Sequence, residues 1–435
     1  MPKAVISNRI YMDSPPEGLG PIMETLTYRL ETPGATRGGK KIKHVEIIRN
    51  YKLLPKGIIS IPQGRTDLIP DDYEIVDKRV FNEMPFPTPK FSLREDQVPV
   101  YNEANDSCFI NALPGWGKTF TALYLAKKLG QKTLIVTHTT ALRNQWVNEI
   151  TKLYGMECGV IGSGVFDIDH AIVVGNIQTL TNHSVKLSKE FGTVILDEAH
   201  HCPAATFSSF VDAMYARYRI ALSGTMVRKD GKHIVFPDYF GSHVLKPPQS
   251  NTVNPIIKVL KTGLQLTPGV PWVKKINNLL YDPDYQEYVS VVALTQMAKG
   301  HRVLVIASRL EFLRRVKELI GEKCVLVTSE VENDDRTKIL RGLEESDEVT
   351  CIAGSRQIFS EGLSVDILSC VILPEPIANE SNLEQIIGRI MRKHPIKENM
   401  PPEVIDMTFS GRADKSQNNL RLGFYLKKGW EVQSL

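Results

Sequence analysis

The stretch Ala112-Leu113-Pro114-Gly115-Trp116-Gly117-Lys118-Thr119 constrains this chain more than any other. It follows the apolar run Cys108 to Ala112 and opens a helical stretch at Lys118. Glycines let backbone N–H groups curl around phosphate oxygens, and the helix start adds positive potential. Lys118 has the reach for β- and γ-phosphates, and the Thr119 hydroxyl can ligate Mg²⁺. Ala112 stands where such loops usually begin with glycine, but the strand-then-helix context selects a phosphate loop over a glycine turn with a surface lysine.

A second segment supplies what a phosphate loop lacks. Val194-Ile195-Leu196 reads as a buried strand that delivers Asp197 and Glu198 at its carboxyl end, the edge at which parallel sheets bind ligands. Asp197 is placed to hold Mg²⁺, and Glu198 to orient and deprotonate an attacking water. His200, His201 and Cys202 follow at once, but adjacent side chains rarely converge on one tetrahedral ion, so zinc is rejected.

Around these segments the pattern divides the chain into three parts: residues 1–90, 91–250 and 251–435. The first reads as a small β-rich or α+β domain, with short apolar runs broken by Gly and Pro and a proline-rich linker at Met84 to Lys90. In both later parts apolar strands alternate with helical stretches, which predicts α/β domains with mainly parallel sheets. Lys246 to Pro271 reads as the connection between them. The 435 residues suffice for two or three cores. No apolar run is long enough to span a bilayer, and the start lacks a signal-peptide pattern, so an intracellular protein without a membrane partner is expected. The six cysteines are scattered, which predicts reduced thiols.

Taken together these motifs resemble the superfamily 2 DEAH-box helicases and translocases, whose fold is two RecA-like lobes in tandem that close on ATP. The resemblance implies further roles. In Leu93-Arg94-Glu95-Asp96-Gln97 it makes Gln97 an adenine reader and Arg94 a support of the nucleotide site. With Pro114, Gly115, Trp116 and Gly117 these complete the first lobe's nucleotide contacts. Ser223 and Thr225 of Leu222-Ser223-Gly224-Thr225 bridge to His200 and couple hydrolysis to lobe movement. In the second lobe, Gly362 and Asp366 face nucleotide, and Gln385, Arg389 and Arg392 of Gln385-Ile386-Ile387-Gly388-Arg389-Ile390-Met391-Arg392 form the arginine-finger motif. Nucleic-acid contacts fall on Thr137, His138, Arg143, Gln145, Asn176, Gln178, Thr179, Ser308, Arg309, Ser355 and Ser360, mostly to phosphates.

Two details favour the DNA-directed branch, most like the phage branch-migration and fork-remodelling helicases. The acidic motif continues as His200-His201, and Gln385 stands where many RNA-unwinding relatives carry histidine. The expected protein is therefore an ATP- and Mg²⁺-dependent DNA helicase acting on branched or forked DNA in replication, recombination or repair. It would be a monomer in the host cytoplasm, with recombination or replication proteins as possible partners. An RNA helicase, a duplex translocase that separates no strands, and a passive nucleic-acid-binding module remain alternatives.

The net charge of +4 does not by itself indicate a polyanionic partner, so distribution carries that reading. Arg29, Arg37, Lys40, Lys41, Lys43, Arg49, Lys52 and Lys56 form the clearest basic stretch. A second grip on duplex DNA is expected from the tail, with Arg412, Lys415, Arg421, Lys427, Lys428, Phe424, Tyr425 and Trp430.

Overall fold

In a computed structural model of the full chain, the residues described are 2–15, 18–35, 41–112, 116–199, 204–224, 231–247, 252–328, 330, 339, 342–343, 346, 348–360, 365–377 and 379–435. The chain divides into two compact units, Met1–Leu113 with Gly117–Pro248, and Pro114–Trp116 with Gln249–Leu435.

In the first unit, strands β1 (Lys3–Ile6), β2 (Arg9–Asp13), β5 (Lys52–Leu54), β6 (Ile58–Pro62) and β7 (Glu74–Asp77) form a sheet in the order β5-β6-β2-β1-β7. Its core is Ala4, Ile6, Ile10, Met12, Ile59 and Ile61 with Ile22 and Leu26. Between its strands β3 (Thr27–Ala35) and β4 (Lys41–Arg49) pair as a separate antiparallel ribbon. Alternation sends Tyr28 and Ile48 of the ribbon onto the neighbouring core, while Val45 and Ile47 face outward.

The α/β half of this unit is built on β8 (Cys108–Asn111), β9 (Thr133–Thr137), β10 (Gly159–Gly162), β11 (Val165–Phe166), β12 (Ile172–Asn176), β13 (Thr193–Leu196), β14 (Tyr218–Ser223) and β15 (Val244–Leu245). Their order is β11-β10-β12-β9-β13-β14-β8-β15, parallel except for the β10–β11 hairpin. The central strands are apolar on both faces, as a sheet covered by helices on both sides requires. The linker expected at Met84 to Lys90, together with the residues just before it, runs along this half. Val80 N–H donates to Tyr215 O, Met84 N–H to Gly130 O and Lys90 N–H to Leu153 O.

The second unit holds β16 (Ile256–Lys261), β17 (Val303–Ala307), β18 (Cys324–Val327), β19 (Cys351–Ser355), β20 (Cys370–Leu373), β21 (Glu403–Thr408) and β22 (Glu431–Ser434). They form an all-parallel sheet in the order β18-β19-β17-β20-β21-β16-β22. Successive residues of β17 and β19 feed two cores on opposite faces: Leu304, Ile306 and Ile352 on one, Val303, Val305 and Cys351 on the other. The expected α/β architecture, two parallel-sheet RecA-like lobes preceded by an N-terminal domain, is present.

Two sequence expectations fail here. The connection Lys246 to Pro271 contains β16, an integral strand between β21 and β22, whose six residues were obscured by flanking Pro, Asn and Thr. The expected grip of the tail fails for Arg421 and the three aromatics, while Lys415, Lys427 and Lys428 stay exposed and the Arg412 side chain lies outside the described residues. The helix Arg412–Lys427 buries Phe424 and Tyr425 beside Trp430 in the core, and Arg421 is 1% exposed with its Nε on Asp406. Lys428 pairs with Glu384. A buried guanidinium satisfied by a carboxylate is a structural group, unavailable to phosphates.

Candidate functional site

The phosphate loop and the acidic pair meet because β8 and β13 are parallel neighbours across β14 and end at the same edge. Backbone bonds hold that edge: Ala112 N–H donates to Ser223 O and Asp197 N–H to Val136 O, both at 3.0 Å. Pro114 and Gly115 lie outside the described residues, and Trp116 is the residue just before Gly117. Gly117 has φ +93° and leads directly into the helix Lys118–Leu129. A left-handed turn at that point favours glycine.

Lys118 Nζ donates to Ala112 O at 3.0 Å and lies 3.8 Å from Glu198 Oε1. Thr119 is half-buried on the first turn of the same helix. Gln97 is buried beside the loop: Arg94 N–H donates to its Oε1 at 3.0 Å, and its Nε2 donates to Gly117 O at 3.4 Å. Arg94 lies close enough that a Cβ on Gly117 would come within 3.2 Å of its Nη1. Two residues about twenty positions upstream therefore sit against the phosphate loop.

Asp197 is buried and multiply held. Its Oδ2 accepts from Trp146 Nε1–H at 2.7 Å, and its Oδ1 from Glu198 N–H at 2.9 Å. Burial first, then the Glu198 charge, raise its carboxyl above the ordinary range, against the pull of Trp146 and Lys118. Each oxygen keeps a lone pair. With the Thr119 hydroxyl, the donors are all hard oxygens beside concentrated negative charge, a set that fits Mg²⁺. Glu198 has φ +46°, strained for a non-glycine residue, and such strain persists where surrounding structure imposes it, commonly at functional sites.

The candidate nucleic-acid residues of the first lobe gather at the same edge. Thr137 is buried at the end of β9, and Thr139 caps the helix Thr140–Tyr154 by accepting from Leu142 N–H. Arg143 is also buried; it donates to Asn176 Oδ1 at 3.2 Å and to Ser163 Oγ at 3.2 Å. That position makes Arg143 a brace between three loops. His138, Gln145 and Thr179 are partly exposed and Gln178 is exposed. Ser223 is buried at the end of β14. His200 and Thr225, expected to complete the coupling bridge, lie outside the described residues.

In the second unit Arg389 is buried and its Nε donates to Phe359 O at 2.9 Å. Arg392 Nη1 pairs with Asp366 Oδ1 at 2.7 Å, which joins two expected nucleotide contacts to each other. Gln385 is buried on the helix Glu380–Gly388. Gly362 lies outside the described residues, as does the Ser360 side chain. Ser308 and Arg309 follow β17, Ser355 is the last residue of β19, and the two strands pair directly. Arg309 Nε donates to Asn277 Oδ1 at 2.7 Å.

Sequence reasoning missed two organisers. Buried Glu375, just beyond β20, accepts from Ser308 N–H at 2.6 Å and Ser308 Oγ–H at 2.8 Å, and pairs with Arg356 at 2.6 Å. Trp146 looks in sequence like any core aromatic. Neither has a local signal, because each acts on a residue more than fifty positions away. Among the described residues no cluster of His, Cys, Asp and Glu suits a metal by itself, and no helix is long and apolar enough to cross a membrane.

Residues 79–228 match the family described as "Type III restriction enzyme, res subunit", and residues 286–394 match "Helicase conserved C-terminal domain". The chain is 39% identical to the "Probable helicase D10" of Escherichia phage T5 across 99% of itself and 95% of that relative. It is 27% identical to the DNA 3'-5' translocase XPB2 of Sulfurisphaera tokodaii, over 78% of itself and 87% of the relative. Identity to the ATP-dependent DNA helicase uvsW of Enterobacteria phage T4 is 25%, over 63% of the chain and 59% of the relative. Among solved structures, the fold matches the ATP-dependent Type ISP restriction-modification enzyme LlaBIII bound to DNA, with TM-score 0.59 and 16% identity, over 86% of this chain and 33% of that one. It also matches Dbp5 of S. cerevisiae bound to RNA and ADP BeF3, with TM-score 0.56 and 11% identity, over 78% and 89%.

Proposed function

We propose that this chain, which belongs to the superfamily 2 helicases, is an ATP- and Mg²⁺-dependent DNA motor that remodels branched or forked DNA. The observation that carries the motor reading is the approach of Lys118 to Glu198 at one sheet edge, with Asp197 beside them. Gln97 and Arg94 hold the nucleotide from the side of the phosphate loop. Lys118 draws its charge partner from Glu198 to the phosphates, which frees Glu198 to orient and take the proton of the attacking water. Mg²⁺, held by Thr119 and Asp197, would neutralise developing phosphate charge. Arg389 and Arg392 supply further positive charge to the transferred group, Arg392 by exchanging Asp366 for phosphate.

The DNA reading follows the names of the T4 helicase and the Sulfurisphaera translocase, while another relative, 27% identical, is named a putative ATP-dependent RNA helicase; the ribbon adds a basic face that suits either nucleic acid. Its outward face carries Arg29 and Arg49, with Thr27↔Arg49 and Arg29↔Ile47 as register partners. The side chains of Lys40, Lys41 and Lys43 lie outside the described residues. Single-strand contacts are assigned to the loops after β9, β12, β17 and β19, with Arg143 bracing those of the first lobe.

Steady-state ATP hydrolysis is the test, measured at one salt concentration with no nucleic acid, single-stranded DNA, linear duplex, a three-way fork, a four-way junction and RNA. Strongest stimulation by the branched DNAs supports the proposal. Strongest stimulation by RNA keeps the motor and replaces the substrate. Lys118→Ala should abolish hydrolysis and unwinding together, and Glu198→Gln should bind ATP without hydrolysing it; hydrolysis retained in either variant breaks the assignment.

A further inference from the structure

We propose that Trp146 is a positioning residue that links nucleic-acid binding to the metal-holding carboxylate, through the hydrogen bond from its indole N–H to Asp197. The inference rests on the motor reading above and adds a physical connection between its two sites.

Three observations support it. Trp146 is 1% exposed, and its one polar atom, a donor only, is aimed at Asp197 Oδ2 at 2.7 Å. A Phe or Leu would fill an apolar slot with no polar atom to satisfy, so the donor has a use beyond volume. The helix that carries it, Thr140–Tyr154, follows Thr137 and His138 and carries Arg143 and Gln145. Arg143, one turn before Trp146, is fastened to Asn176 and Ser163. The helix is a rigid rod, so a ligand that pulls on the loops around Arg143 moves the indole with them. Among the described residues the other hydrogen bond to Asp197 comes from Glu198 N–H and goes to Oδ1. The indole therefore fixes where the Oδ2 lone pairs point.

Coupling of this kind is reciprocal: whatever nucleic acid does to nucleotide binding through Trp146, nucleotide does to nucleic-acid binding by the same factor. Hydrogen bonds to charged groups are worth about 10- to 100-fold in an equilibrium.

The experiment compares the full-length chain with Trp146→Phe, with oligothymidylate as the single-stranded probe. ATP hydrolysis is measured with and without the probe, and probe affinity with and without a non-hydrolysable ATP analogue and Mg²⁺. Trp146→Phe is expected to reduce the stimulation ratio and the nucleotide effect on probe affinity, each by about tenfold or more. Equal loss of stimulated and unstimulated rates, with the ratio kept, would show a packing role and overturn the inference. Absence of stimulation in the unaltered chain by every nucleic acid overturns the motor reading and this inference together, which separates the two failures.

Should the variant not fold, the unaltered chain still decides. Four tryptophans give four ¹⁵N indole resonances, and Trp116→Phe, Trp272→Phe and Trp430→Phe assign the Trp146 signal by elimination. It should shift on addition of MgADP alone and, separately, of oligothymidylate alone. A signal that answers only one of them refutes the link.

Discussion

The Tyr28 hydroxyl donates to Asp238 Oδ1 at 2.8 Å, across 210 positions of sequence. The same buried carboxylate accepts from Asn50 Nδ2 at 2.7 Å and pairs with Arg65 at 3.2 Å. Asp238 thus gathers three elements of the N-terminal domain onto the helix Phe236–Phe240 of the α/β half. Arg9 does the converse, pairing with Asp212 at 2.6 Å. The N-terminal domain is fixed to this half by buried polar bonds, which makes it part of the motor's frame.

Asp238→Ala should consequently loosen the first 80 residues. It strands three polar partners in a buried site, a loss of about 3–5 kcal/mol. Thermal unfolding should move to lower temperature, and limited proteolysis should open cleavage sites between β1 and β7. An unchanged digestion pattern would mean that other contacts hold the domain.

Gly117→Ala is expected to weaken nucleotide binding. A side chain there adopts the left-handed region at a cost of about 1–2 kcal/mol, and its Cβ would collide with the Gln97 amide. A fluorescent ATP analogue should bind about 5- to 30-fold more weakly. Affinity kept within twofold would show that Gln97 swings away freely.

Glu375→Ala should affect nucleic acid and spare nucleotide. It releases Ser308 and Arg356 at the ends of β17 and β19 without touching the phosphate loop. Single-stranded DNA affinity should fall by about tenfold, the usual worth of a buried charge-assisted bond. Analogue binding without DNA should stay the same. Parallel loss of both would argue for general unfolding of the second lobe.

Acid should weaken the second unit through Glu403. Burial pushes its carboxyl up, but His301 and Lys258 outweigh that and bring it down to about 2, from 4.5. The folded state therefore binds the proton less readily than the unfolded chain. The stabilisation is complete above pH 4.5 and disappears as the pH falls toward about 2. In chemical denaturation, the stability gap between the unaltered chain and Glu403→Gln should close over that window. A gap independent of pH would remove Glu403 from the account.

Legibility followed sequence separation. The phosphate loop around Lys118 and the acidic pair after β13 were readable because a few adjacent residues encode their backbone geometry and chemistry. The alternation of apolar strands with helical stretches was readable in both later parts of the chain. The strand β16 was misread, since six residues among prolines carry too little pattern to distinguish an interior strand from a connection. Arg421 and the aromatics of the C-terminal tail were misread for a different reason: charge and aromaticity look alike on a surface grip and in a buried lattice. Only Asp406 beneath Arg421 tells them apart.

By itself, then, the amino-acid sequence determined the two α/β lobes and the chemical groups of the candidate site, because those follow from local propensity and contiguous motifs. Tertiary structure alone decided which buried partner orients each group: Trp146 for Asp197, Glu375 for Ser308, Asp238 for Tyr28. Such pairs depend on where distant strands end relative to one another. A single sequence carries no local term for that distance, because packing of the whole sheet sets it.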